Sequence, residues 1–288
     1  MAVSALKDLY QDLPQQAAIC AFNIYNMEFT QGVVEAAEKE DEPVILMISE
    51  LALSFSDLET LVAICNSVAS KSRIPVSILL DHGKSKEVII RCIELGISVM
   101  FDGSHLPLEE NIKQTRYYTE LAHGGNVSIE AELGSLSGFE DGKGSESAFF
   151  TDPKEAKRFV NETGIDSLAV SIGNKHGFYR GRPNLDIERL KSINGKVEIP
   201  LVLHGGSDLP EEQIRLSIEN GIRKLNIGTD VKYAFAMRLK SILNKDPMPF
   251  QPIDILGQAR EAIVEEARKK IALTGSRAAS ASLKHSLR

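Results

Sequence analysis

Eight short apolar runs alternate along this chain with stretches of helical periodicity. The runs span 17–23, 43–49, 74–81, 97–102, 126–132, 167–173, 200–204 and 224–228. Runs of this length, bounded by turn residues, read as buried strands. Between them lie amphipathic stretches at 31–40, from about Ser56, and at 86–95, 108–123, 153–163, 187–193 and 211–220. Several end where a helix would: Gly96, Gly124-Gly125 and Gly221 each follow a last periodic residue. The Ser56-Asp-Leu-Glu59 start is a capping-box pattern. Strict strand–helix alternation demands a parallel sheet. Eight units in 288 residues close most economically into an α/β (β/α)8 TIM barrel. An open doubly wound sheet is the alternative, but it requires a phosphate fingerprint after the first strand, and Ala21-Phe-Asn-Ile-Tyr25 is not one. A last helix is expected at 256–273 after a Pro-bounded linker, 247–252. Residues 1–275 read as a single barrel domain and 276–288 as a mobile tail.

Composition narrows the class of function. A net charge of −7 argues against a nucleic-acid groove and requires any anionic substrate to meet a local basic or backbone-amide site. The three cysteines, Cys20, Cys65 and Cys92, form no Cys-x-x-Cys pair and read as buried thiols of a reducing compartment. The polar N-terminus does not read as a signal peptide, and no run approaches the ~18 apolar residues of a membrane span. The expectation is a cytoplasmic protein with neither a nucleic-acid nor a membrane partner.

The ends of the eight runs carry the chemistry. In order they present Asn23, Ser49, Asp81-His82, Asp102, Glu132, His176, His204, and Asn226 with Asp230. Singly, such an Asp or Ser caps the next helix and such a His is structural. Together they form the layout of a barrel active site, which sits at the carboxyl ends of the strands. His82, His176 and His204, far apart in sequence, suggest a three-imidazole metal site with a fourth position open to substrate. Barrel phosphate sites follow the seventh and eighth strands. Here those segments read His204-Gly205-Gly206-Ser207 and Asn226-Ile227-Gly228-Thr229, with glycines that admit an anion to backbone amides and hydroxyls that add donors. Two long loops, 134–151 and 174–186, read as functional lids. Lys224, on the eighth strand, offers a Schiff-base electron sink as a competing reading.

Seven motifs occur in order: Leu80-Asp81-His82-Gly83, Ser98-Val-Met-Phe-Asp102-Gly-Ser104, Glu130-Ala-Glu132-Leu-Gly134, Glu140-Asp141-Gly142, Gly173-Asn-Lys-His176-Gly177, Leu203-His204-Gly-Gly-Ser207 and Asn226-Ile-Gly-Thr229. With these the chain resembles the zinc-dependent class II fructose-bisphosphate and tagatose-bisphosphate aldolases from about residue 5 to residue 275. The resemblance implies a homodimeric or homotetrameric barrel acting on a sugar phosphate. It implies Zn²⁺ on His82, His176 and His204, with Asp102 and Glu132 at or beside an alternative metal location. Asp81 matches the residue that protonates the aldehyde oxygen in condensation, and Glu140 the base that deprotonates dihydroxyacetone phosphate. Gly177, Gly205, Gly206, Ser207, Asn226, Ile227, Gly228 and Thr229 match phosphate-holding segments. Asn23 and Ser49 match further substrate contacts, and Arg180 stands for the family's usual lysine. Backbone carbonyls near Gly177 and Gly205 resemble the family's monovalent-cation (Na⁺ or K⁺) site.

Two departures bear on the substrate. Where the family carries Asp-Pro-Arg before its last helix, this chain reads Gln251-Pro252-Ile253-Asp254. An isoleucine cannot replace a bidentate arginine–phosphate contact. Asp208 stands where the fructose branch usually has glycine and the tagatose branch often has aspartate, and it would disfavour further negative charge nearby. The expectation is therefore an aldolase that keeps its dihydroxyacetone phosphate half and takes an unphosphorylated aldehyde. An orthodox fructose- or tagatose-bisphosphate aldolase and a non-catalytic sugar-phosphate-binding paralogue are the alternatives.

Overall fold

All eight apolar runs are strands in the computed structural model, which describes residues 3–140, 143–145, 149–179 and 181–275. In chain order the strands are β1 (Ile19–Asn23), β2 (Val44–Ser49), β3 (Val76–Gly83), β4 (Ser98–Phe101), β5 (Ile129–Leu133), β6 (Ser137–Glu140), β7 (Lys143–Ser145), β8 (Ser167–Val170), β9 (Lys175–His176), β10 (Leu201–Leu203) and β11 (Ile222–Ile227). β1 to β5, β8, β10 and β11 close into a parallel barrel, with β1 paired to both β2 and β11. The (β/α)8 expectation holds. Strand pleating sends alternate side chains inward. Ile19, Ala21, Ile45, Met47, Leu79, Met100, Ala169 and Val202 fill the lumen, while the other strand faces pack against the helices.

The helix Leu6–Gln11 has no counterpart in the sequence expectation. Its Leu6 and Leu9 join the luminal cluster and close the amino-terminal end of the barrel. Each contributes about 2 kcal/mol by burial. A single turn and a half is too short to show periodicity, which hides it from a pattern reading. The helices Glu50–Phe55 and Thr229–Leu243 were likewise not anticipated.

Two boundaries move. The helix Leu58–Ala69 is capped by Asp57, whose carboxylate accepts from Thr60 N–H, so Ser56 lies one residue outside. The last helix is Pro252–Thr274, beginning within the expected linker because proline suits the first helical position. The long loops are not structureless. Their β6, β7 and β9 build a small second sheet, in which β6 pairs antiparallel with β7 and parallel with β9. The segment 276–288 lies outside the described residues. Among those described, no helix is long and apolar enough to cross a membrane.

Candidate active site

The luminal alternation that is apolar at the bottom turns polar at the carboxyl ends of the strands. Asn23, Asp81, Asp102, Glu130, Glu132, His204, Lys224 and Asn226 are all buried there. Neighbouring strands set their spacing; Ser49, for example, stands in register with Asp81.

Asp81 and His82 are consecutive, and regular pleating would send them to opposite faces. The β3–β4 register is irregular between Leu80 and Gly83, and His82 has φ +49°. That left-handed backbone, costly for a residue with a Cβ, brings both side chains into one site. Asp81 accepts from Asn23 Nδ2 at 2.8 Å and Asn226 Nδ2 at 3.4 Å. His82 Nε2 lies 3.0 Å from His204 Nδ1. The His176 ring centroid lies 5.1 Å from that of His82 and 6.0 Å from that of His204. Ring nitrogens of all three lie within 4.8 Å of one another. His176 does not end a barrel strand as the sequence suggested. It lies on β9, beyond β8, where Gly138 of β6 sits opposite it. A Cβ on Gly138 would collide with the His176 carbonyl.

Glu130 and Lys224 support this cluster from below. Lys224 Nζ donates to both Glu130 oxygens at 2.8 and 3.0 Å, and neither side chain has any exposure. Lys224 is therefore a buried counter-ion and not an accessible amine, which removes the Schiff-base reading. Burial pushes the Glu130 carboxyl up, but Lys224 and His204 outweigh it and hold it down to about 2. Glu130 Oε1 lies 3.3 Å from His204 Nε2. With the proton placed on Nε2, toward Glu130, the Nδ1 lone pair faces His82. Burial lowers the pKa of His204 against the pull of Glu130, keeping the ring neutral, as a ligand must be.

On the opposite edge of His82, Nδ1 lies 3.1 Å from Asp102 Oδ2 and 3.7 Å from Glu132 Oε2. Burial would raise the Asp102 pKa, but the His82 hydrogen bond and charge and then Lys84 hold it well below the usual carboxylate range.

A cleft opens beside His176 and His204, lined by these two and by Asn23 and Gly177. Gly205, Ser207, Asn226, Gly228 and Thr229 complete its wall. Gly205 has φ +64°, and a Cβ there would collide with the Lys175 carbonyl. The glycine lets two loops meet beside the cleft. Tyr179 locks them: its hydroxyl accepts from Lys175 N–H at 3.0 Å and donates to the Gly205 carbonyl at 3.2 Å.

Other sequence candidates are placed differently. Ser49 is buried, and its hydroxyl accepts from Ala52 N–H to cap the helix Glu50–Phe55. The Gly206 N–H donates to the Asn226 carbonyl, and the Ile227 side chain is in the core. Neither side wall nor rim is formed by their side chains. Asp208, at φ +57°, accepts from Tyr179 N–H at 2.8 Å, so its carboxylate ties down a loop. Ile253 is 86% exposed on the first turn of the last helix and is not part of the cleft wall. The Glu140 side chain, Asp141 and Arg180 lie outside what is described. Glu130 was quoted in a motif but given no role; its two-residue spacing from Glu132 on an inward face is the signal that could have assigned one.

The sequence profile of the class-II fructose-bisphosphate aldolases matches residues 5–279. The YdjI aldolase from Escherichia coli K12 is 33% identical, with a TM-score of 0.84 over 96% of this chain and 98% of that one. Fructose-bisphosphate aldolase (Fba) from Campylobacter jejuni shares the fold, with a TM-score of 0.80 at 23% identity over 95% of each chain.

Proposed function

Because the chain belongs to the class II fructose-bisphosphate aldolase family and is an aldolase, we propose that it cleaves a ketose 1-phosphate to dihydroxyacetone phosphate and an unphosphorylated aldehyde. The observation that carries this reading is the cleft itself, where His176 and His204 of the three-histidine cluster adjoin the glycine and hydroxyl segments after β10 and β11. Three imidazoles whose nitrogens lie within 4.8 Å of one another, with a buried carboxylate behind His204, fit a Zn²⁺ ion. Bound there, zinc supplies Lewis-acid stabilisation of the negative charge that develops on the substrate oxygens.

The chain's own residues supply the rest. Asn23 and Asn226, both in the cleft wall, hold the Asp81 carboxylate behind them. In cleavage Asp81 takes the proton from the hydroxyl that becomes the aldehyde oxygen, and in condensation it returns it. Glu140, by the family's pattern, exchanges the carbon proton of the dihydroxyacetone phosphate half. Gly177, Gly205, Ser207, Gly228 and Thr229 cradle that half's phosphate. Carbonyls near Gly177 and Gly205 are the place for a monovalent cation that balances it. Homodimeric or homotetrameric assembly is part of the same reading.

The aldehyde assignment rests on Ile253. An exposed isoleucine provides no guanidinium for a second phosphate. Condensation assays with glyceraldehyde and glyceraldehyde 3-phosphate test it. Higher kcat/KM with glyceraldehyde is expected; a strong preference for the phosphorylated acceptor overturns it and favours an orthodox bisphosphate aldolase.

A further inference from the structure

His82 belongs to two clusters of metal-capable atoms. Its Nε2 edge faces His204 and His176, and its Nδ1 edge faces Asp102 and Glu132. The second cluster already holds a cation of the chain's own. Lys84 Nζ lies 3.0 Å from Asp102 Oδ2, the oxygen that also faces His82. The other Asp102 oxygen accepts from Ser104 N–H at 3.1 Å and Ser104 Oγ at 2.6 Å. The carboxylate is thus saturated, and a divalent ion could use it only by displacing the ammonium.

The lysine is held in place for this. Glu50 Oε1 accepts from the backbone N–H of Lys84 at 2.7 Å and of Ser85 at 2.6 Å, while Ser85 caps the helix Lys86–Glu94. The backbone is pinned where β3 ends, and the side chain, 44% exposed, returns over the end of β4.

Building on the reading of the three histidines as a metal site, we propose that the Lys84 ammonium is the resident cation of the His82–Asp102–Glu132 position, confining a divalent ion to the three-histidine position. A fixed positive charge beside Asp102 repels a dication and takes away its oxygen ligand. Lys84 acts through the ligand set and is a positioning residue.

The test is Co²⁺ titration of the metal-free protein, following visible absorption and counting bound metal after gel filtration. The parent should bind one Co²⁺ per chain tightly. Lys84→Met should bind a second, about tenfold or more tighter than any second ion in the parent. Lys84→Arg should stay at one, and Lys84→Met with Asp102→Asn should lose the second. The same comparison in a His176→Ala background, which disables the three-histidine position, isolates Lys84. If the parent binds no Co²⁺, the three-histidine reading falls. If Lys84→Met gains nothing in either background, with its fold verified by circular dichroism or replaced by Lys84→Gln, the lysine proposal falls.

Discussion

Replacing Glu130 by glutamine should damage stability and metal affinity by separable routes. Glu130 balances Lys224, and neither side chain has any exposure. Glutamine keeps the shape but leaves an ammonium in the barrel without its counter-charge. Breaking one side of a buried pair costs about 3–5 kcal/mol. Linkage gives a similar size. Lowering the Glu130 carboxyl from 4.5 to about 2 on folding corresponds to about 3 kcal/mol. The sign follows from that direction. The folded pKa is depressed, so the contribution is present above about 4.5 and is lost as pH falls toward 2. Glutamine should therefore flatten the acid limb of the stability profile.

The metal effect comes through His204. Without a carboxylate on Nε2–H, ligand basicity and ring orientation weaken, and zinc affinity should fall about 10–100-fold. Adding Lys224→Met removes the stranded charge and should restore most of the stability but not the zinc affinity. Urea denaturation of metal-free protein reads the first quantity, and competition with a chromogenic chelator reads the second. Glu130→Gln within 0.5 kcal/mol of the parent would refute the buried-charge argument. Recovery of both quantities in the double variant would refute the route through His204.

Three further outcomes follow from the site. Asp81→Asn should lower kcat about 10²–10⁴-fold with zinc content unchanged by elemental analysis, since a proton-transfer group and not a ligand is lost. Gly205→Ala forces a Cβ at φ +64° against the Lys175 carbonyl. It should cost about 1–3 kcal/mol in denaturation and raise KM for the ketose phosphate. Exhaustive chelation should abolish activity, and Zn²⁺ should restore it; full activity in protein shown to be metal-free would sink the metal mechanism.

The barrel was legible because the barrel strands are mainly runs of buried apolar residues and several helices end at a glycine. Helix Pro153–Thr163 was bounded to the residue, since proline opens it and Gly164 closes it with φ +69°. What escaped depends on contacts distant in sequence. The barrel plug shows only two leucines, Leu6 and Leu9. β6, β7 and β9 are too short for a period of two to register. The histidines and Asp81 stood out because polar groups are conspicuous after apolar runs. Lys224 was readable only as a competing electron sink that a metal site makes redundant, because the sequence could not show that Glu130, 94 positions earlier, meets its amine. The sequence shows at Asp208 only a charge that disfavours further negative charge nearby; its bond to Tyr179 N–H, 29 positions away, is visible only in the fold.

The pairing of Gly138 with His176 has a consequence for how this protein could diversify. Barrel enzymes acquire new chemistry by altering one strand-to-helix loop at a time while the others stay as they were. Here the segment after β5, which leads to Glu140, and the segment after β8, which carries His176, share backbone hydrogen bonds. An insertion or deletion in either shifts the register of both. Drift in length must then occur jointly in the two loops.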